Sequence, residues 1–300
     1  SDLSSRDFTS GNKANYNITT SSSLVVSTIT DIPAGTVNIV GHHAGTAGNY
    51  GQADNRYVAL MVNGKEVSTL PSFPGYTVGT ASPFYLGDNE SGNGDNGNNP
   101  FTGDIGEVTV FLKPLTATER NQVESYLAIK YGKTLDNAAG GTDGNYLTSD
   151  GSIVWAAANG SAYHNDVIGI IRDNSSGLLQ KQSHQSDDST RLYIANLETA
   201  NVLNTGVISQ NLSAVMMGHN GGMLGQTDAA NSDVPTGSLT NTRLEREWKV
   251  TNTSFNESFN IDIRLDSTGL GNISIDNLAL LVDENGNFDN ASIYSLSDGL

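Results

Sequence analysis

The chain contains no cysteine, so neither a disulfide nor a thiolate-bound zinc or iron–sulfur centre can hold it together. Basic residues are scarce: 15 Lys and Arg stand against 32 Asp and Glu, a formal charge of −17. Nucleic acids and anionic membrane surfaces both demand clustered cations, so neither is an expected partner. Charged residues of either sign reach only 16%, below the ~25% of an average soluble domain. No apolar run approaches the ~18 residues of a membrane span, and no basic-then-apolar leader is present. The expectation is a piece of a longer multidomain chain, without direct membrane insertion, whose targeting information lies elsewhere.

What the chain has instead is 33 Gly and a wealth of Asn, Ser and Thr, a surface polar by amide and hydroxyl. That composition suits turns between many short strands. Hydrophobic residues at 36%, with 11 Tyr, 8 Phe and 2 Trp, suffice for packed cores. Three hundred residues are comfortable for two domains. An acidic surface attracts cations, and a chain without disulfides needs another staple, which makes Ca²⁺ the expected cofactor.

Along the chain, residues 23–29 (SLVVSTI) and 36–41 (TVNIVG) read as strands, and the remainder of 1–35 is weakly patterned. Residues 56–67 (RYVALMVNGKEV) give the clearest hairpin: Asn63-Gly64 supplies the two positive-φ positions of a tight turn. Tyr57, Ala59 and Met61 share one face and Val58, Leu60 and Val62 the other, as in a central strand. Residues 83–87 and 105–112 are further strand candidates. The one convincing helix runs over 116–131. Thr116 and Glu119 have capping-box spacing, Val123, Tyr126, Leu127, Lys130 and Tyr131 recur at helical period, and Gly132 is a natural stop.

Residues 134–145 have linker composition. Beyond them strands resume near 151–156, 167–172, 191–195, 213–218, 246–252, 259–265, 278–282 and 292–296, with no helix between. Trp155 and Trp248 fall in strand patterns and read as core. The expected fold is all-β: two β-sandwich domains, 1–133 and 146–300, joined by one amphipathic helix and a short linker.

The segment PFYLGDNESGNGDNGNNPFTGDIGEVTVFLKPLTATERNQVESYLAIKYGKTL resembles the closing part of the LamG-like jelly roll, a concanavalin-like lectin fold of large bacterial surface proteins. The stretches NYLTSDGSIVW, YHNDVIGIIRDNSSGLLQKQS, LEREWKV and LLVDENGNFDNA are similar to the β-sandwich module that accompanies it in secreted and adhesin-like proteins. The quoted motifs cover roughly residues 56–72 and 83–290. Such jelly rolls begin many residues before anything matching residues 1–35. The opening strands are therefore expected to be missing, with residues 1–30 rearranged or partnered.

Loop 88–100 (DNESGNGDNGNNP) offers Asp88, Glu90, Asp95 and Asn98 as metal ligands, with Asn89 and Asn96 for ligand contact. Ca²⁺ takes six to eight oxygens, and Gly lets backbone carbonyls turn inward. A solvated loop has the same composition. Asp283, Asn285, Asn287 and Asp289 place oxygens at alternate positions, like the opening of an EF-hand loop, although Tyr294 stands where the twelfth-position Glu belongs. A plain turn between strands is the alternative. Tyr50 and Tyr76, in Gly-rich loops, are candidate stacking platforms for a sugar.

Two apparent catalytic sets fail. Asp104 and Glu107 are three apart, so on a strand they point to opposite faces. His164-Asn165-Asp166 lacks a nucleophile elbow, and the histidines, including His184 and His219, read as surface and turn residues. The expected function is therefore non-catalytic: an extracellular, adhesin-like module of a bacterial surface protein that binds a glycan or other cell-surface ligand with Ca²⁺. A structural spacer, or an accessory fragment of a carbohydrate-active enzyme, is the alternative.

Overall fold

The computed structural model describes residues 3–4, 13–20, 23–31, 37–45, 57–70, 104–111, 113, 115–136, 144–157, 161–185, 189–225, 227–228, 233–235, 243–265, 274 and 278–296. The chain divides into two compact units, Ser1–Ala158 and Asn159–Leu300. It is all-β apart from one α-helix among the described residues.

In the first unit, β1 (Leu3–Ser4), β2 (Lys13–Thr20) and β3 (Ser23–Asp31) make an antiparallel sheet. The polar β2 carries no strand signal of its own. It is a strand by pairing, with Ile18 opposite Val25 and Tyr16 opposite Ser27. A second sheet holds β4 (Val40–Gly45), β5 (Tyr57–Val62) and β6 (Lys65–Leu70), with β5 central as its two apolar faces require. Asn63 and Gly64 turn the hairpin at φ 51 and 86. Asn63 also explains why β4 starts later than the apolar pattern predicts. It donates its backbone N–H to Ile39 O (2.8 Å), and its Oδ1 accepts from Ile39 N (2.9 Å), so this exchange ends the ladder.

Helix α1 (Ala117–Tyr131) is capped as its sequence dictates. The Thr116 hydroxyl accepts from Glu119 N, the Glu119 carboxylate accepts from Thr116 N, and Gly132 ends the helix in the left-handed region at φ 62. The buried face is not the one the large side chains mark. Glu124, Ser125, Ala128 and Ile129 are buried, whereas Val123, Tyr126, Leu127 and Tyr131 are half-exposed and Lys130 is exposed. Small side chains let the helix approach β7 (Tyr146–Leu147), where Ser125 Oγ accepts from Leu147 N at 2.8 Å. β7 pairs with β8 (Ile153–Trp155), and Trp155 is core. Leu135 is fully buried, its N–H bonded to Tyr146 Oη at 3.1 Å.

The 105–112 strand is a correction. Residues 104–111 are described outside any strand, and Ile105, Val108, Val110 and Phe111 are exposed. Side-chain alternation shows fitness for a pleated surface, but a ladder also needs partner backbone groups.

The second unit contains β9 (Asn165–Asp173), β10 (Leu178–Gln180), β11 (Gln182–His184), β12 (Thr190–Tyr193), β13 (Ser213–His219), β14 (Thr227–Asp228), β15 (Arg243–Leu244), β16 (Trp248–Thr253), β17 (Asn260–Ile263), β18 (Ala279–Val282) and β19 (Ser292–Ser295). One sheet has the order β10-β9-β13-β16 and another β11-β12-β17. Ile168, Ile170, Val215 and Met217 of the first face Leu192 of the second, joined by Ile194, Ile208 and Phe255, with Trp248, Phe259 and Ile261 at the margin. This is a sandwich core, sheet on sheet. Val167, Ile171, Ala214 and Met216, on the opposite face of β9 and β13, are buried too. Gly169 belongs there because an added Cβ would stand 2.3 Å from Met216 Sδ.

Candidate functional site

Tyr50, Tyr76, Asp88, Asn89, Glu90, Asp95, Asn96 and Asn98 lie outside the described residues. The remaining candidates, Asp283, Asn285, Asn287 and Asp289, share the turn between β18 and β19, and the turn closes on its own amides. Asp283 Oδ1 accepts from Asn285 N (2.6 Å) and Gly286 N (2.7 Å), and Asn285 Oδ1 accepts from Asn287 N (2.8 Å). Asn287 Oδ1 caps a 3-10 turn, Phe288–Asn290, by accepting from Asp289 N. Gly286, at φ 81, takes the left-handed position that the reversal requires. These chained side-chain-to-backbone bonds account for the alternate spacing of the oxygens. Among the described residues, no group of three or more His, Asp or Glu is placed to hold a metal.

The turn lies against a polar cluster. Arg243, at the start of β15, is 9% exposed. Its Nε donates to Asp233 Oδ1 (2.8 Å), its Nη1 pairs with Glu247 Oε1 (2.5 Å), and its guanidinium lies 5.1 Å from the centroid of the Phe288 ring. Tyr163 Oη donates to Glu247 Oε2 at 2.7 Å. The Arg243 hydrogen bond holds the Asp233 carboxyl below its usual range, with the Phe288 backbone a lesser influence in the same direction. Burial, then the bond to Glu247, pushes the Tyr163 phenol up to about 12.

Asn220 extends the cluster: its Oδ1 accepts from Gly222 N (2.9 Å) and Glu247 N (3.1 Å), and its Nδ2 donates to Glu245 O (2.8 Å). Gly222 is obligatory there, since a Cβ would stand 2.3 Å from Glu245 O. Beside it, His219 corrects the surface reading of the histidines: it is 3% exposed, at the end of β13. Its Nδ1 accepts from Gly221 N at 2.9 Å, so Nε2 carries the proton and faces Asp166 Oδ2 at 3.2 Å. Asp166 thus pairs with His219 rather than serving a triad with His164. Both ring nitrogens are engaged.

The first unit holds a smaller cluster of the same kind. Glu107 Oε2 accepts from Lys130 Nζ (2.8 Å) and Tyr131 Oη (3.3 Å), while Oε1 accepts from Tyr126 Oη (3.2 Å). The ammonium lies 5.1 Å from the Tyr126 ring centroid and 5.6 Å from that of Tyr131. Lys130 holds the Glu107 carboxyl below its usual range, the opposite of what a general acid needs.

Sequence reasoning missed Arg243, Asp233, Glu247, Tyr163 and the buried His219. The one available signal was local: residues 243–247 (RLERE) carry four charges in five positions, in a chain with 16% charged residues. In both clusters the acids are ion-paired and donated to, which is the chemistry of cohesion.

No curated protein and no solved structure matches the chain. Residues 6–119 match the model described as the Concanavalin A-like lectin/glucanases superfamily, an alignment that reaches nearer the N-terminus than the motifs quoted above. Residues 119–299, which include α1 from Glu119 onward and every member of the Arg243 cluster, match a second model. That match spans more than half of the 300 residues, and the chain belongs to the family described as Domain of unknown function (DUF8202).

Proposed function

We propose that the chain is a non-catalytic binding module of an extracellular, adhesin-like bacterial surface protein, in which the lectin-like unit takes a glycan or other surface ligand and the second sandwich presents it. The observation that carries this reading is the match of residues 6–119 to the lectin/glucanases superfamily. The ordinary work of such a binding surface is done by exposed aromatic and amide side chains on loops, and Tyr50, Tyr76, Asn89 and Asn96 are the side chains of those types that the Gly-rich sequence offers for it. Ca²⁺ serves in this reading as a loop-shaping ion held by Asp88, Glu90, Asp95 and Asn98. Asp283, Asn285, Asn287 and Asp289 are a second donor set whose turn is already closed by backbone amides. The acidic excess of 32 to 15 favours a cationic cofactor and disfavours polyanionic partners.

The test is a glycan array followed by calorimetry on the full chain, with Ca²⁺ and with EDTA, alongside melting under both conditions. Glycan binding that weakens on chelation, with a lowered melting temperature, supports the reading. No ligand and no response to Ca²⁺ leaves the chain a structural spacer. Turnover of a polysaccharide by the chain ends the non-catalytic reading.

A further inference from the structure

The β18–β19 hairpin is exposed on both faces. Leu280 lies opposite Tyr294, and Leu281 opposite Ile293. Leu280, Val282, Ile293 and Tyr294 retain 42, 47, 49 and 54% of their accessible surface. A two-stranded ribbon is marginal by itself, and this one buries little apolar surface to hold it in place. What attaches it is its turn. Phe288 lies under the Arg243 guanidinium, while Arg243 is itself fixed by Asp233 and by a Glu247 that Tyr163 also holds. Gly286 sits beside the Tyr163 hydroxyl, 3.6 Å from where a Cβ would stand.

We propose that residues 279–295 form a strap that opens as a unit, without unfolding the sandwich, and that Arg243 is its clasp. The ion pairs of Arg243 with Asp233 and Glu247 persist when the strap lifts; the contacts with Phe288 break. Opening therefore costs the cation–π contact rather than the apolar core, and it bares the Arg243 cluster to solvent.

Hydrogen exchange read by mass spectrometry on the full chain tests this. Peptides within 279–295 exchange before those of β9 and β13 in the wild type. Arg243→Gln accelerates them about ten-fold or more and leaves β9 and β13 unchanged. Simultaneous exchange of strap and core in the wild type, uniform acceleration in the variant, or no acceleration overturns the proposal. Should Arg243→Gln fail to fold, Phe288→Leu, which keeps both ion pairs and removes the ring, is read by the same criterion.

Discussion

Two antiparallel pairs in the second unit, β9–β13 and β18–β19, have similar apolar sequences, VIGII and AVMM against ALLV and SIY, and opposite fates. Every residue from Val167 to Ile171 and from Ser213 to His219 is buried, whereas the hairpin keeps its large side chains in solvent. The first pair is held by area, on the order of 25 cal/mol for each Å² of apolar surface withdrawn from water. The second is held at one end by directional contacts around Arg243. An apolar pattern therefore identifies a strand without saying how firmly it is held.

The contrast is broken most severely at β9. Ile170→Ala removes a fully buried side chain from the centre of the core and is expected to lower the stability of the second unit by about 2–5 kcal/mol, read by urea denaturation. Alkali acts on the other pair, through the clasp. Tyr163 is held up to about 12 against an ordinary 10.0, so the folded protein keeps a proton that the unfolded chain has released. Its contribution is complete below pH 10 and is lost as pH rises through about 12. Melting temperatures across that interval should fall more steeply for the wild type than for Tyr163→Phe; equal slopes would mean that the phenol is not part of the clasp. The smallest effect belongs to the hairpin surface. Leu280→Ala is expected to change stability by no more than about 0.5 kcal/mol in the same denaturation, and a loss comparable to that of Ile170→Ala would show that the hairpin has a hidden core.

Local features were legible because their causes are local. The T-x-x-E box, the stop at Gly132 and the Asn63-Gly64 turn each rest on bonds or φ angles within a few residues, and each appears as read. The central place of β5 followed from two apolar faces and the core position of Trp155 from its strand pattern, whereas Trp248, read as core, is half-buried at the margin. The α1 face was misread because period shows which side chains travel together, while a neighbour decides which group it covers. Here the small Ser125 and Ala128 permitted the closer approach. Polar β2 was missed because its strand character is conferred by β3 across the ladder. Of the candidate site, the turn at 283–289 was visible as a spacing of oxygens, but the same spacing serves a metal loop and a self-bonded turn alike.

From composition and pattern alone came the all-β class, the capped helix over 116–131, the hairpin turn and the want of any disulfide. All of these are statements about short range or about atoms that are absent. Only the folded chain could bring Tyr163 to Glu247 across 84 residues, or His219 to Asp166 across 53. Polar side chains carry no periodicity that marks their partners. Their meeting is settled by which sheets stack, and that is a property of the whole packing rather than of any segment.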